Sequence, residues 1–522
     1  MSIRKLLNIL NKNRHKEENN NELTIALSNN LEKNLIELEN DLGKSSDIVI
    51  RRIVIGKENP LAAAIVYTDG LVDISEINRF LKALMTRFPE KKPNKPTIEL
   101  IKEEVLNVGD VKEFTSKADI INGILTGSTA ILLDNSKAAL VANTKGFAKR
   151  AISEPENQLV MRGPRQGFIE NITTNTAMIR KIIPSSKLRV EQMKVGTLSE
   201  TTVGIIYIEG IADKKIVNEV KERIKRIKTD SILGTGYIEE LIQDNPTTLW
   251  PTVAYTERPD TASGNLLEGK ILIIVDGTPF VLIVPTTFFM LFQSADDYFL
   301  KWHIASFMRL LRFVTFIFSM TLPSLYVATI TYHPELIPTT LLISLSAQRE
   351  GVPFPAFIEA LLMELTFEVL REAGVRMPRA VGQAVAIVGA LVLGTAAVEA
   401  GIVSPAMVII VSMTAISSFT APYIDLANTA RIVRFAWLIF SSILGLFGTL
   451  FGLMLLIIHL SSLRSFGIPY LSGLAPFNVS DQKDILVRAP RYLMNKRPKL
   501  FAKDNPIRQE KIIPGPKRNR KR

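Results

Sequence analysis

Between Glu359 and Gly374 the sequence reads EALLMELTFEVLREAG. Glu364, Glu368 and Glu372 recur every fourth residue, so on a helix they form one acidic stripe, with Glu359 off it. Leu361, Leu362, Leu365, Val369 and Leu370 occupy the other faces and can pack. Arg371, Arg376 and Arg379 lie nearby, and Glu372 precedes Arg376 by four residues, the orientation that favours an ion pair. Two chemistries fit. In one, arginines stitch the stripe into an ion-pair helix at a membrane edge. In the other, the stripe lines a watery vestibule that concentrates cations, because unpaired carboxylates cannot face lipid. One subunit offers few polar groups for a private ion path, so a pore needs several copies around an axis or a partner.

A second constellation lies just downstream. Gly382, Ala386, Ala390 and Gly394 recur every four residues and give one helix face on which a neighbour can approach closely. Steps of 100° place Val381, Val388, Thr395 and Glu399 together on the opposite face. Valines capped by a carboxylate suit a hydrophobic constriction with a cation-attracting mouth; a buried packing face is the plainer alternative. In VMRGPRQGF, Arg162 and Arg165 alternate with Gly163 and Gly167, a pattern that could hold an anion or simply connect two subdomains.

Enzyme chemistry finds no support. There is no cysteine, and the four histidines are scattered without metal-ligand spacing, so neither a metal nor any other cofactor is implied. No phosphate-loop lysine, dinucleotide fingerprint or nucleophile elbow occurs.

The elements that must position these residues divide the 522-residue chain into two regimes. Up to about Glu268 apolar and charged residues alternate as in a soluble protein. From Phe313 onward four uncharged stretches approach the ~20 residues a spanning helix needs. They are Phe313 to Thr331, Ala380 to Val398, Ile402 to Ile424 and Phe435 to Leu463, with a further crossing or re-entrant segment conceivable between 332 and 379. Gly448 and Gly452 form a GxxxG pair, read as packing within the chain. Net charge is +12, and from Arg464 to Arg522 there are 15 Lys and Arg against 4 Asp and Glu. That end carries no nucleic-acid recognition motif and reads as a solvated, disordered tail on the cytoplasmic side, able to touch acidic lipid. The N-terminus has only a short apolar patch before Asn, Lys and Glu, so no cleaved signal is expected and the soluble half should stay cytoplasmic.

The soluble half echoes itself. Ile53 to Asp73 overlays Met193 to Asp213 without a gap, matching Gly56, Tyr67, Gly70 and Asp73 with Gly196, Tyr207, Gly210 and Asp213. Gly127 to Val141 likewise overlays Gly269 to Ile283, with Asp134 on Asp276. Each echo predicts a β-rich run, a helix capped by an aspartate, and a later hairpin. The fold class that follows is an α+β membrane protein: two related cytoplasmic α/β subdomains, then a multi-span helical membrane domain. Its expected divisions are a polar segment 1–44, subdomain one 45–150, a connector 151–186, subdomain two 187–300, a transmembrane domain 301–463 and a basic tail 464–522.

Five blocks carry a family resemblance: EPENQLVMRGPRQGFIENITTNTAMIRKII, YTERPD, VDGTPFVLIVPTTF, HPELIPTTLLISLSAQREGVPFPAFIEALLMELTFEVLREAG and GQAVAIVGALVLGTAAVEAGIVSPAMVIIVSMTAISSFTAP. In this order, over about residues 40–480, the chain resembles the A-subunit family of bacterial spore germinant receptors, the GerA family. The resemblance implies residence in the spore inner membrane and partnership with a permease-like B subunit and a lipoprotein C subunit. It further implies homo-oligomerisation into a nutrient-gated channel for monovalent cations; a non-conducting scaffold that relays a signal from the B subunit is the alternative. The nutrient is not legible.

Overall fold

The echoed β-rich runs pair as antiparallel hairpins because their apolar, β-branched residues can be buried on both faces of a sheet. The computed structural model describes residues 26–56, 60–87, 98, 111–146, 154–155, 157–377, 392–477, 481–510 and 515. In the first unit β1 (Ile48–Ile55), β2 (Leu61–Thr68), β3 (Val111–Phe114), β4 (Thr129–Leu133) and β5 (Ala139–Ala142) form a sheet of order β1-β2-β4-β5-β3. In the second, β6 (Leu188–Val195), β7 (Thr201–Ile208), β8 (Ala254–Thr256), β9 (Ile271–Val275) and β10 (Val281–Val284) repeat it as β6-β7-β9-β10-β8. The register repeats as well: Ile65 faces Ile131, and Ile205 faces Ile273. Gly70 and Gly210 adopt φ of 76° and 77°, a left-handed turn that explains why the echo keeps glycine there.

Helices cover both faces of each sheet. In the first unit α1 (Leu31–Asp41) and α3 (Lys117–Leu125) lie on one face and α2 (Ile74–Arg87) on the other. In the second, α4 (Ile172–Ile182) and α7 (Pro259–Leu267) oppose α5 (Lys214–Arg226) and α6 (Thr235–Ile242).

The repeat is longer than the sequence reading found. Asn30 and Asn171 cap α1 and α4 through Lys33 N and Thr174 N. Four residues on, the Asn34 and Asn175 side chains each accept from a backbone N–H six residues upstream, at 2.8 Å in both. Asp134 and Asp276 accept the first helical N–H, from Leu31 at 3.2 Å and Ile172 at 3.0 Å. The two matched aspartates therefore fix helix starts from across the sheet. The expected boundaries at 45 and 187 thus cut off the first helix of each unit, because short helices with few apolar positions resemble loops in a polar sequence.

The units are joined by a buried ion pair. Arg180, 1% exposed, donates to both Asp47 oxygens at 2.9 Å, and Ser45 Oγ accepts from Val190 N at 2.9 Å.

Beyond β10 the chain turns into a 3-10 segment, Phe288–Phe292, whose five side chains are all buried. Phe288, Phe292, Trp250 and Phe316 stack edge to face at centroid distances of 5.1–6.3 Å. This aromatic knot seats the first long apolar helix, α8 (Trp302–Tyr332), on the second unit. After it come α9 (Thr339–Arg349), α10 (Ala356–Arg376), α11 (Gly394–Glu399), α12 (Pro405–Ser418) and α13 (Ile424–Ser462). Among the described residues α8 and α13 are long and apolar enough to cross a membrane, and α12 is apolar but shorter.

Phe435 to Leu463, expected to cross once, instead reverses direction. Gly445 has φ 60° and ψ −140°, and residues on either side of it meet: the Phe440 and Phe451 rings at 6.2 Å, Ser441 Oγ and Thr449 Oγ1 at 3.3 Å. In a straight helix eleven residues would span about 16 Å, so α13 is a tight antiparallel hairpin. Gly452 lies against the Trp437 ring and Gly448 against Phe440, so the GxxxG pair packs inside that hairpin. Both open ends return to one loop of the second unit: Thr429 Oγ1 donates to Leu249 O, and His459 Nε2 lies 3.0 Å from Thr248 Oγ1. Likewise Ile402 to Ile424 is helical only over Pro405–Ser418, where Ser404 caps the start and Pro422 lies beyond the end.

The expected solvated tail is docked as far as Glu510. Phe466, Ile468 and Phe501 complete the core under α5, and Arg508 pairs with Glu268 at 2.6 Å. Apolar residues interspersed among the cations bury themselves, which the charge composition of this stretch masks.

Candidate functional site

Helix α10 begins after Pro355, whose fixed φ suits a helix entry, and carries the acidic stripe against the first arm of α13. Arg434 is fully buried and reaches Glu364 at 3.1 Å and Glu368 at 3.2 Å. Glu368 also holds Arg431 at 3.1 Å and Arg371 at 2.7 Å. Glu372 pairs with Arg376 at 2.7 Å on the exposed side. Glu359, off the stripe and fully buried, accepts from Ser404 N at 2.6 Å and from the Ser404 hydroxyl, with Arg349 at 3.5 Å. Every acid of the segment therefore has an arginine within 3.5 Å. The arginines that neutralise Glu364 and Glu368 come largely from α13, some sixty residues away in sequence, where no local spacing could reveal them.

The compensation is uneven. Glu364 and Arg434 face each other at ion-pair distance, yet neither Glu364 oxygen lies on a hydrogen-bond line, and Arg434 Nε and Nη1 are also unpartnered. A buried pair held by charge without aligned hydrogen bonds is weakly compensated for its desolvation.

The second predicted constellation divides. Val381, Val388, Gly382, Ala386, Ala390 and Arg379 lie outside the described residues. Gly394 is buried, with α12 beside it at Val408. Thr395 and Glu399 are exposed one helical turn apart, and Glu399 has no ion pair among the described residues.

Arg162 and Arg165 are exposed on the connector. The backbone N–H groups of Met161 and Arg162 donate to Asp296 at 3.0 and 3.4 Å, and Arg165 reaches Glu154 at 3.4 Å. The YTERPD block holds the same connector: Arg258, 1% exposed, donates to the carbonyls of Gln158 and Pro164, while Glu257 accepts from Asn157.

At the root of α8 a second buried ion cluster joins soluble and helical parts. Asp297 receives Arg309 at 3.1 Å and Arg312 at 2.5 Å, and Arg309 also reaches Asp484 of the docked C-terminal strap at 3.0 Å. On the other side of the junction, burial and the charge of Asp425 push the Glu239 carboxyl up to about 7. The second unit thus touches the long apolar helices through α8, through both ends of α13 and through the strap.

With this geometry in view, comparison with known proteins is specific. The profile of the family described as "Bacillus/Clostridium GerA spore germination protein" matches residues 36–500. Spore germination protein KA of Bacillus subtilis (strain 168) is 48% identical over 490 residues, spanning 94% of this chain and 90% of that protein. The uncharacterized membrane protein YfkQ of the same strain is 43% identical, over 92% of this chain and 93% of that one. The crystal structure of the N-terminal domain of the A subunit of the Bacillus megaterium spore germinant receptor GerK3 is 40% identical and covers 51% of this chain and 98% of that chain, with a TM-score of 0.42.

Proposed function

Since the chain belongs to the GerA family of spore germination proteins, we propose that it is the A subunit of a nutrient germinant receptor in the spore inner membrane. Copies assemble around an axis, with the permease-like B subunit and the lipoprotein C subunit, into a nutrient-gated cation channel. The observation that carries the channel reading is Glu399: an exposed carboxylate with no ion pair among the described residues, on an apolar helix, next to exposed Thr395. Such a group needs water or a neighbouring copy, not lipid. The acids of α10, being neutralised within the chain, serve as a latch between α10 and α13 and leave Glu399 as the cation-attracting mouth. Val381 and Val388, expected from the sequence to share that face, lie outside the described residues and complete the pore face we propose.

The topology we propose is multi-span, with the paired sheet units and the strap both cytoplasmic. Helix α8 leaves the second unit at Arg309, and α13 returns to it at His459. Large apolar side chains stay exposed along both arms, including Ile432, Ile439, Ile443, Phe447, Leu450 and Met454, as lipid contact requires.

The test is reconstitution of the purified chain into liposomes. Cation flux is expected, and Glu399→Gln reduces it several-fold. Tight vesicles containing intact oligomers would instead support the relay alternative. The direct contacts of Thr248 and Leu249 with both ends of α13 favour that reading as the second choice.

A further inference from the structure

A cavity of about 370 Å³ lies between the second α/β unit, the 3-10 segment and the C-terminal strap. That size is within the ~300–1,000 Å³ of small-molecule sites. Its lining contains a buried ammonium that has no carboxylate at ion-pair distance among the described residues. Lys270 is 3% exposed; its Nζ meets the Met290 sulfur at 2.7 Å and the Phe501 ring at 5.3 Å, both feeble counterparts for a cation. Of the acids that line the cavity, Glu268 pairs with Arg508 at 2.6 Å and Asp484 with Arg309 at 3.0 Å, and Asp481 forms no ion pair with Lys270. A second donor on the same wall is also unsatisfied: Arg508 Nε is buried with no hydrogen-bond partner. Buried donors without acceptors are rare and call for one to be supplied.

We propose that this cavity binds a small organic monoanion, a carboxylate on an apolar body. A carboxylate offers two acceptor oxygens to the two waiting donors. One negative charge answers the buried Lys270 ammonium, since Arg508 already serves Glu268; Lys483 and Lys496 also line the cavity but are exposed, and phosphate has no apolar body for the walls. Phe289, Met290, Met494 and Phe501 supply apolar wall for the body. Burial draws the Lys270 amine down to about 8 against the opposing charges of Glu268 and Asp484, so it is an ammonium that a bound anion would stabilise further. Occupancy reaches the membrane helices by a short route: Asp484 lines the cavity and holds Arg309 at the root of α8. The site is independent of whether the chain conducts ions.

The experiment uses the full chain purified in detergent, with benzoate, its neutral isostere benzamide and inorganic phosphate as probes, read by calorimetry and by thermal midpoint. Benzoate is expected to bind and raise the midpoint, benzamide to bind at least about tenfold more weakly, and phosphate not to bind. Lys270→Met keeps the volume, removes the buried charge and should lose benzoate binding by at least about tenfold while melting no lower than wild type. No benzoate binding up to about 20 mM, equal binding of benzamide, binding of phosphate instead, or undiminished binding by Lys270→Met would each overturn the proposal. The benzoate and benzamide comparison is made on the unaltered protein and stands even if the variant fails to fold.

Discussion

Arg434→Ala is the most informative single change. The side chain is fully buried and spans two carboxylates, Glu364 at 3.1 Å and Glu368 at 3.2 Å. Its loss does not affect them equally. Glu368 keeps Arg431 and Arg371, whereas Glu364 has no other arginine or lysine in ion-pair range among the described residues. Removing one partner of a buried pair costs about 3–5 kcal/mol, because the survivor is left charged and unpaired. Replacing both by apolar residues is often neutral or better, so Arg434→Met with Glu364→Leu should recover to within about 1 kcal/mol of wild type. The double variant should therefore be more stable than Arg434→Ala by at least about 2 kcal/mol. Equilibrium unfolding of the purified protein in mild detergent measures both variants against wild type. If Arg434→Ala loses less than about 1 kcal/mol, or if the double variant is no more stable than the single one, the latch between α10 and α13 is not held by this pair.

Four other outcomes follow from the same geometry. Arg180→Ala should destabilise the soluble half by about 3–5 kcal/mol by stranding buried Asp47, seen as a lowered denaturant midpoint. Gly445→Ala should cost about 1–3 kcal/mol, since φ 60° with ψ −140° strains any side chain and Tyr332 Cβ already lies 3.0 Å from where the new Cβ would sit; thermal unfolding checks it. For Glu239 the folded carboxyl holds its proton to about 7 against an ordinary 4.5, so its contribution to stability falls as pH rises through that window and is constant above it. The advantage of Glu239→Gln over wild type should therefore be nil below pH 4.5 and greatest above pH 7, read as the difference between two unfolding curves taken across pH. Phe501→Ala should cost about 3–5 kcal/mol and free the strap to limited proteolysis, because the ring is 5% exposed within the core under α5.

Much of the architecture was legible because it is local or repeated. A period-two apolar pattern ending in a glycine turn needs no partner to be read, and a duplicated stretch reports its own fold twice. The asparagine caps at 30 and 171 carry no such signal by themselves, since isolated polar residues before short helices look like loop. The reversal at Gly445 was hidden inside an uninterrupted apolar run, where one glycine with positive φ leaves hydropathy unchanged. The docking of the strap was hidden by charge: fifteen cations obscured the few apolar residues that anchor it.

By itself the sequence determined the paired sheet units, the segregation of alternating from apolar halves and the existence of an acidic stripe, all of which follow from residue type and spacing along one chain, while the family followed from the resemblance of whole blocks to known relatives. Only the tertiary structure decided what the stripe faces. The identity of an ion's partner depends on which distant helix packs against it, and Arg431 and Arg434 come to Glu364 and Glu368 through the packing of α13 against α10. The same holds for Lys270, an unremarkable strand-end lysine in sequence, which becomes a buried, unpaired ammonium only when the strap closes over it.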